Sequence, residues 1–173
     1  IKNDGSLWAM GYNDFGQLGD GSTTSKNTPV QVASGVVGAS AGYYHSLLVK
    51  SDGTLWAMGW NFYGQLGNGT TPSRNSLIHT ASGVASVSAG DRHSLLVKRD
   101  GTLWAMGSNN FGQLGNGTWM DQSTPVQVAS EVVGAIAGEE HSLFVKSDGT
   151  LWAMGNNGFG RLGDGTTTTR ILP

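Results

Sequence analysis

The chain has 173 residues, a formal net charge of −2 and no cysteine. The lack of cysteine excludes disulfides, a thiol nucleophile and cysteine-ligated zinc, and the small net charge predicts neither a basic nucleic-acid face nor an acidic tail. No apolar run approaches the roughly 18 residues that a membrane span needs. We therefore expect no nucleic-acid partner and no membrane insertion.

One unit of 48 residues is repeated along the chain. The sequence "LWAMG" begins at residues 7, 55, 103 and 151, "GQLG" or "GRLG" at 16, 64, 112 and 160, and "HS" at 45, 93 and 141. Nothing is inserted or lost between the copies, so about 3.6 units are present. We expect a single array over residues 1–173, with units at 1–48, 49–96 and 97–144 and a truncated unit at 145–173.

Each unit carries short runs of strand-forming residues. Runs rich in Val, Leu and Trp, bounded by turn residues, predict strands near 36–41, 45–50 and 54–59. The sequence "TPVQV" at 28–32 and 124–128 predicts a fourth, weaker strand. The Asp-Gly pair of "SDG" at 51–53 predicts a tight hairpin, because this pair tolerates the positive φ that such turns require.

The "LWAMG" strand is apolar on both of its faces, so we expect it to be buried on both sides. Its tryptophan should then belong to the core, and replacing Trp104 by Ala should destabilise the fold by roughly 3–5 kcal/mol if the ring is fully buried. The equivalent core positions are Trp8, Trp56, Trp104 and Trp152.

Four antiparallel strands per unit, covered on both faces, predict an all-β fold in which each unit forms one blade of a β-propeller. A solenoid is the alternative. Two blades should be complete, near 36–80 and 84–128, with two further strands at the N-terminus and three at the C-terminus. Unpaired sheet edges are rarely left bare, so we expect a longer propeller or association with other copies of the chain.

Three stretches of the unit carry a family resemblance: "GTLWAMGSNNFGQLGNGT", "STPVQV" and "VVGASAGYYHSLLVKSDG". Together they resemble the repeat of the regulator of chromosome condensation family, and the match covers essentially the whole chain. Members are typically seven-bladed propellers whose sequence repeat is offset from the structural blade. The resemblance therefore implies a partial propeller, about half of a seven-bladed ring.

Residues present in every unit are interpreted as architecture. His45, His93 and His141 should be buried hydrogen-bonding residues beside a glycine turn, and the "GQLG" glycines should permit a compact loop at positive φ. Equivalent turn-holding side chains are expected at Asn13, Asn61, Asn109 and Asn157. The unrepeated His79 should be an exposed edge residue.

Catalytic and cofactor-binding patterns are not found. The sequence has no nucleophile elbow, no phosphate-binding glycine loop followed by lysine and no metal-type histidine spacing. We therefore expect no enzyme activity, no catalytic residue, no metal site and no cofactor.

Binding residues are expected where the units differ, because large exposed aromatic side chains without a role in the blade are favoured binding anchors. Drift on a permissive loop is the alternative for each of them. The pair before each repeated histidine is Tyr43-Tyr44, Asp91-Arg92 or Glu139-Glu140. A second variable place holds Tyr12, Trp60 and Phe62, and a third holds Trp119 and Met120.

Three functions fit these features. The first is a non-catalytic protein-interaction or scaffold module that contacts a protein partner through variable loops. The second, implied by the resemblance, is guanine-nucleotide exchange on a small GTPase, but the strict spacing leaves no room for the inserted hairpin those members use. The third is a secreted propeller that inhibits an enzyme. The near-identity of the units favours a bacterial origin and an extracellular or cell-surface location.

Overall fold

A computed structural model describes residues 1–173. It contains thirteen β-strands and no helix. The first six are β1 (Leu7–Gly11), β2 (Lys26–Ala33), β3 (Val36–Ala41), β4 (His45–Lys50), β5 (Leu55–Gly59) and β6 (Arg74–Ala81). The others are β7 (Val84–Ala89), β8 (His93–Lys98), β9 (Leu103–Gly107), β10 (Gln122–Ala129), β11 (Val132–Ala137), β12 (His141–Lys146) and β13 (Leu151–Gly155). All strand pairs are antiparallel.

The strands form propeller blades in the predicted order. β3–β4–β5–β6 and β7–β8–β9–β10 are complete four-stranded sheets, while β1–β2 and β11–β12–β13 form sheets of two and three strands. The complete blades span residues 36–81 and 84–129, which confirms the predicted blade limits. Each blade's first strand packs against the first strand of the next.

The fourth strand of each complete blade is longer than predicted. β6 and β10 have eight residues each, whereas for β10 the sequence predicted only the five residues of "TPVQV" at 124–128. The strand accommodates Pro125 within β10 because it lies at the outer edge of its sheet, where one side of the backbone needs no ladder hydrogen bond.

The hydrophobic core lies between blades. One cluster joins Leu47, Leu55 and Leu66 to Leu96 and Met106 of the following blade. An equivalent cluster joins the second blade to the β11–β13 sheet, where Phe144 is buried. Each blade therefore covers the apolar face of its neighbour, as the two-sided "LWAMG" strand predicted.

The prediction that the repeated tryptophans are fully buried core residues is wrong, although Trp56 and Trp104 pack against the core clusters. Trp56 and Trp104 are half-buried, and Trp8 and Trp152 are 36% and 38% exposed. Trp104 donates its indole N–H to Thr102 Oγ1 at 2.8 Å, and Lys98 Nζ lies 4.1 Å from the ring centroid. The buried members of this "LWAMG" strand are its leucine, alanine, methionine and glycine. Because the indole retains contact with water, Trp104→Ala should cost less than full burial implied, about 2 kcal/mol.

The "SDG" hairpin also differs in detail from the prediction. Only the glycine takes a positive φ, which is 81° at Gly53. The Asp52 carboxylate instead accepts hydrogen bonds from the backbone N–H and hydroxyl of Thr54, at 2.8 and 2.6 Å. These bonds hold the pKa of Asp52 below its ordinary value.

The connections alternate between two ends of the sheets because successive strands are antiparallel. One end, here called the long-loop face, carries the turns 42–44, 90–92 and 138–140 and the loops 12–25, 60–73, 108–121 and 156–169. The other end, the hairpin face, carries the hairpins 51–54, 99–102 and 147–150 and the links 34–35, 82–83 and 130–131. All the binding residues proposed from the sequence therefore lie on the long-loop face.

Candidate protein-interaction face

The repeated histidines join neighbouring blades. His45 Nε2 lies 2.8 Å from Ser94 Oγ, and His93 Nε2 lies 2.8 Å from Ser142 Oγ. Ser94 Oγ donates to the backbone carbonyl of Gln65 at 2.8 Å, so it must accept the proton of His45 Nε2. Ser142 Oγ likewise donates to the backbone carbonyl of Gln113 at 2.7 Å, so in their neutral form both buried histidines carry the proton on Nε2.

Burial suits this neutral form. His45 and His93 have no exposed surface, and burial lowers the pKa of His45 to about 4 and that of His93 to about 3. Their Nδ1 atoms have no hydrogen-bond partner. His141 is half-buried. For His45 and His93, the predicted structural role as buried hydrogen-bonding residues is confirmed.

The repeated asparagines hold the long loops. Asn109 is fully buried; its Oδ1 accepts from Leu114 N at 3.0 Å, and its Nδ2 donates to Thr118 O at 2.8 Å. Equivalent bonds form at Asn13, Asn61 and Asn157. This confirms the predicted turn-holding role, and it places the loop side chains on a fixed support.

The "GQLG" loop docks on the following blade. Gly19 has a φ of 75°, and a Cβ on it would lie 3.1 Å from Met58 Cγ of the next blade. A side chain here would be strained by the backbone conformation, and Met58 would have to shift by a few tenths of an ångström to admit it. The repeated residues are therefore occupied with joining blades, and binding chemistry is left to the variable ones.

The structure brings seven aromatic rings into one continuous group on the long-loop face, here called the aromatic cluster. Tyr44 is at its centre, with ring centroids 4.9 Å from Phe15, 5.7 Å from Trp60 and 6.1 Å from Tyr12. The members are Tyr12, Phe15, Tyr43, Tyr44, Trp60, Phe62 and Tyr63. All five aromatic residues proposed from the first two variable places belong to it.

Several rings of the aromatic cluster face solvent. Tyr43 is 68% exposed, Phe62 66% and Tyr12 51%. Tyr44 and Trp60 are half-buried beneath them. Asp14 beside Tyr12 raises the pKa of that phenol, and burial raises the pKa of Tyr44, so both stay uncharged at neutral pH. The result is an apolar surface carrying a few phenolic hydroxyls, on loops that are held by buried asparagine hydrogen bonds.

A cavity of about 730 Å³ adjoins the aromatic cluster. The turns 42–44 and 90–92 and residues 138 and 139 of the third turn line it, and we call it the mouth. The first variable residue of each turn, Tyr43, Asp91 or Glu139, contributes to this lining. Equivalent positions thus place one aromatic and two acidic residues around a single opening.

The second variable residue of each turn contacts a long loop. Tyr44 makes tilted and edge-to-face ring contacts within the aromatic cluster. The Arg92 guanidinium lies 5.6 Å from the Tyr63 ring centroid and pairs with Asp91 at 3.0 Å. Glu140 accepts a hydrogen bond from Asn156 Nδ2 at 2.6 Å and lies 3.9 Å from Arg161. These residues therefore fix the loops as well as the face.

Trp119 and Met120 stand apart from this group. They are 52% and 71% exposed, and the Trp119 ring pairs with no ring of the aromatic cluster. Sequence reasoning missed Phe15 and Tyr63, because an aromatic residue occupies that place in every unit and resembles architecture. Phe15 and Tyr63 become part of a larger aromatic surface because the variable residues Tyr44 and Trp60 pack against them.

The structure contains no group of three or more His, Cys, Asp or Glu residues arranged to hold a metal ion. It also contains no helix with the length and apolar character needed to cross a membrane.

The family model of the regulator of chromosome condensation (RCC1) repeat matches residues 4–49, 52–97 and 100–145. The chain belongs to this family. A second model of the same repeat matches residues 36–65, 84–113 and 136–161, which follow the blade order β3–β4–β5 and its equivalents. A search of curated proteins found no match.

Several solved structures share the fold. Human WBSCR16 is 24% identical, with a TM-score of 0.84 over 99% of this chain and 47% of its own. Yeast RCC1 (Prp20), solved with Kap60, is 20% identical, with a TM-score of 0.85 over 98% of this chain and 44% of its own. A second structure, of Prp20p from Saccharomyces cerevisiae, was described with its binding properties to Gsp1p and histones. The chain thus spans less than half the length of these propellers.

Proposed function

We propose that this RCC1-repeat chain is a non-catalytic interaction module that binds a protein through its long-loop face. The aromatic cluster carries the proposal. Seven rings meet on one face of a scaffold whose repeated side chains are already engaged between blades. Exposed aromatic groups of this kind are favoured anchors in protein interfaces.

The rigidity of the support favours binding without a large loss of loop entropy. The long loops are held by buried asparagine hydrogen bonds, so Trp60 and Phe62 are positioned before a partner arrives. Among relatives with the same fold, yeast RCC1 (Prp20) was solved with a protein, Kap60. That precedent agrees with protein recognition by a propeller of this type.

The test is an affinity capture with matched variants. Tyr43→Ser and Phe62→Ser together remove the two most exposed rings of the aromatic cluster, at little cost in packing. We expect proteins retained by the unaltered chain to be lost with this double variant and kept with Arg99→Ala, an exposed change on the hairpin face. Equal thermal midpoints establish that all variants are folded.

The variant Trp119→Ala tests whether the third variable place, Trp119 and Met120, takes part in binding. Loss of the same proteins with this variant would extend the interface to the outer part of the loop 108–121. Retention of all proteins by the Tyr43→Ser, Phe62→Ser double variant, or retention of none by the unaltered chain, would contradict the proposed function.

A further inference from the structure

Charge is distributed unevenly between the two faces. Each charged residue lies nearer to one of the two ends of the sheets. Seven acidic and five basic residues lie at the long-loop face. The hairpin face has five of each, so the long-loop face carries the whole net charge of −2. A partner matched to the long-loop face should therefore be basic.

Three acidic residues of the long-loop face, Asp14, Asp121 and Glu139, form no ion pair, and of these Glu139 lines the mouth. Arg92 is held by Asp91, and Arg161 lies against Glu140, whereas Glu139 is exposed and forms no ion pair. Glu139 lines the same cavity as Tyr43, whose ring contacts Tyr44 at a centroid distance of 4.4 Å. Acidic and aromatic surfaces thus meet across one opening.

The chemical character of the three turns changes from one end of the mouth to the other. Along the chain the turns change from aromatic at Tyr43-Tyr44, through the Asp91-Arg92 pair, to acidic at Glu139-Glu140. Both variable residues of the first turn belong to the aromatic cluster. From the second turn only Arg92 reaches it, with its guanidinium over the Tyr63 ring. A ligand lying across the mouth therefore meets apolar rings at one end and carboxylates at the other.

We propose that the long-loop face recognises a basic segment of a protein partner, with an apolar or aromatic residue on the aromatic cluster and Lys or Arg beside Glu139. This inference rests on the proposed function and specifies the chemistry of its partner. An arginine side chain suits such a site because it pairs with carboxylates and stacks on aromatic faces. The acidic excess also disfavours ligands rich in phosphate.

The experiment uses the full chain and two dye-labelled synthetic peptides. Both carry a phenylalanine at one end and a Gly-Ser spacer, and the other end carries either two arginines or two glutamates. Fluorescence anisotropy should show the arginine peptide binding about tenfold more tightly than the glutamate peptide at low salt, with the difference shrinking as salt is raised.

Two variants locate the charge effect. Glu139→Gln should weaken binding of the arginine peptide about 2–5-fold and leave the glutamate peptide no weaker. Glu131→Gln removes the same charge from the hairpin face and should change neither affinity. Tyr43→Ser with Phe62→Ser should weaken the arginine peptide, because its phenylalanine loses the exposed rings.

Several outcomes would overturn the inference. Equal affinity for both peptides, or equal effects of Glu139→Gln and Glu131→Gln, would leave a protein-binding face without charge selection. Failure of both peptides to bind, while captured proteins still depend on Tyr43 and Phe62, would retain the proposed function and exclude recognition of a basic segment. Self-association abolished by the aromatic double variant would identify a second copy of the chain as the occupant.

Discussion

Glu131 departs from the repeat at a position where the backbone demands glycine. It has a φ of 62° and is the single non-glycine residue in this region, while the equivalent Gly35 and Gly83 have φ values of 68° and 72°. A side chain in this conformation typically costs about 1–2 kcal/mol. Glu131→Gly should therefore stabilise the fold by about 1 kcal/mol, after part of the gain is offset by the greater freedom of glycine in the unfolded chain.

The reciprocal change supplies the control. A Cβ on Gly83 would meet no atom within 4 Å, so Gly83→Glu should destabilise by a similar amount through backbone strain alone. Urea unfolding of both variants measures these differences. If Glu131→Gly proved destabilising, some interaction of the glutamate side chain would have to outweigh its backbone strain.

The buried histidines predict a loss of stability in mild acid. At neutral pH the rings are uncharged in both folded and unfolded chains. Below about pH 6.5 the unfolded chain takes up protons that His45 and His93 do not bind, because their folded pKa values are about 4 and about 3. The free energy of unfolding should thus fall by about 2 kcal/mol per histidine between pH 7 and pH 5.

Urea unfolding at pH 7 and pH 5 measures this loss. His93→Gln keeps a hydrogen-bond donor near Ser142 but removes the titrating group, so its stability should change less between the two pH values than that of the unaltered chain. An identical pH dependence in both proteins would show that His93 does not titrate as its burial requires.

The long loop 108–121, which follows β9, is held in shape by the buried side-chain amide of Asn109. Asn109 receives a hydrogen bond from Leu114 N and donates to Thr118 O, so Asn109→Ala should leave buried backbone groups unpaired and destabilise by about 2–3 kcal/mol. The adjacent Asn110 is exposed, and Asn110→Ala should change stability by no more than about 0.5 kcal/mol. Thermal unfolding of the two variants separates the roles; equal midpoints would contradict the assigned loop support.

Strand positions and loop supports could be predicted from sequence because they recur with the period. The same periodicity misled the interpretation of the tryptophans, since recurrence shows that a residue serves the blade without showing that it is buried. Trp104 covers the sheet from a half-exposed position, and Met106 occupies the core instead. The aromatic cluster could be predicted only in part, because Phe15 and Tyr44 come from different blades and their contact depends on how the blades pack.

For the whole molecule we predict no guanine-nucleotide exchange. By family resemblance, exchange requires an inserted hairpin, and the units here keep a strict 48-residue spacing without insertion. Micromolar chain mixed with a small GTPase carrying labelled GDP should leave the rate of nucleotide release unchanged. Faster release would contradict the prediction, and its loss with Tyr43→Ser and Phe62→Ser would place that activity on the long-loop face.

The same hydrogen bonds join the first complete blade to the second and the second to the β11–β13 sheet. His45 bonds to a serine 49 residues ahead, His93 does the same, and Ala89 N and Ala137 N each donate to a serine 49 residues behind. None of these bonds uses a side chain of the six turn positions 43, 44, 91, 92, 139 and 140. Exchanging the residues at these six positions would therefore change which side chains surround the mouth and keep these hydrogen bonds between blades. One scaffold could thus support a combinatorial library of binding specificities.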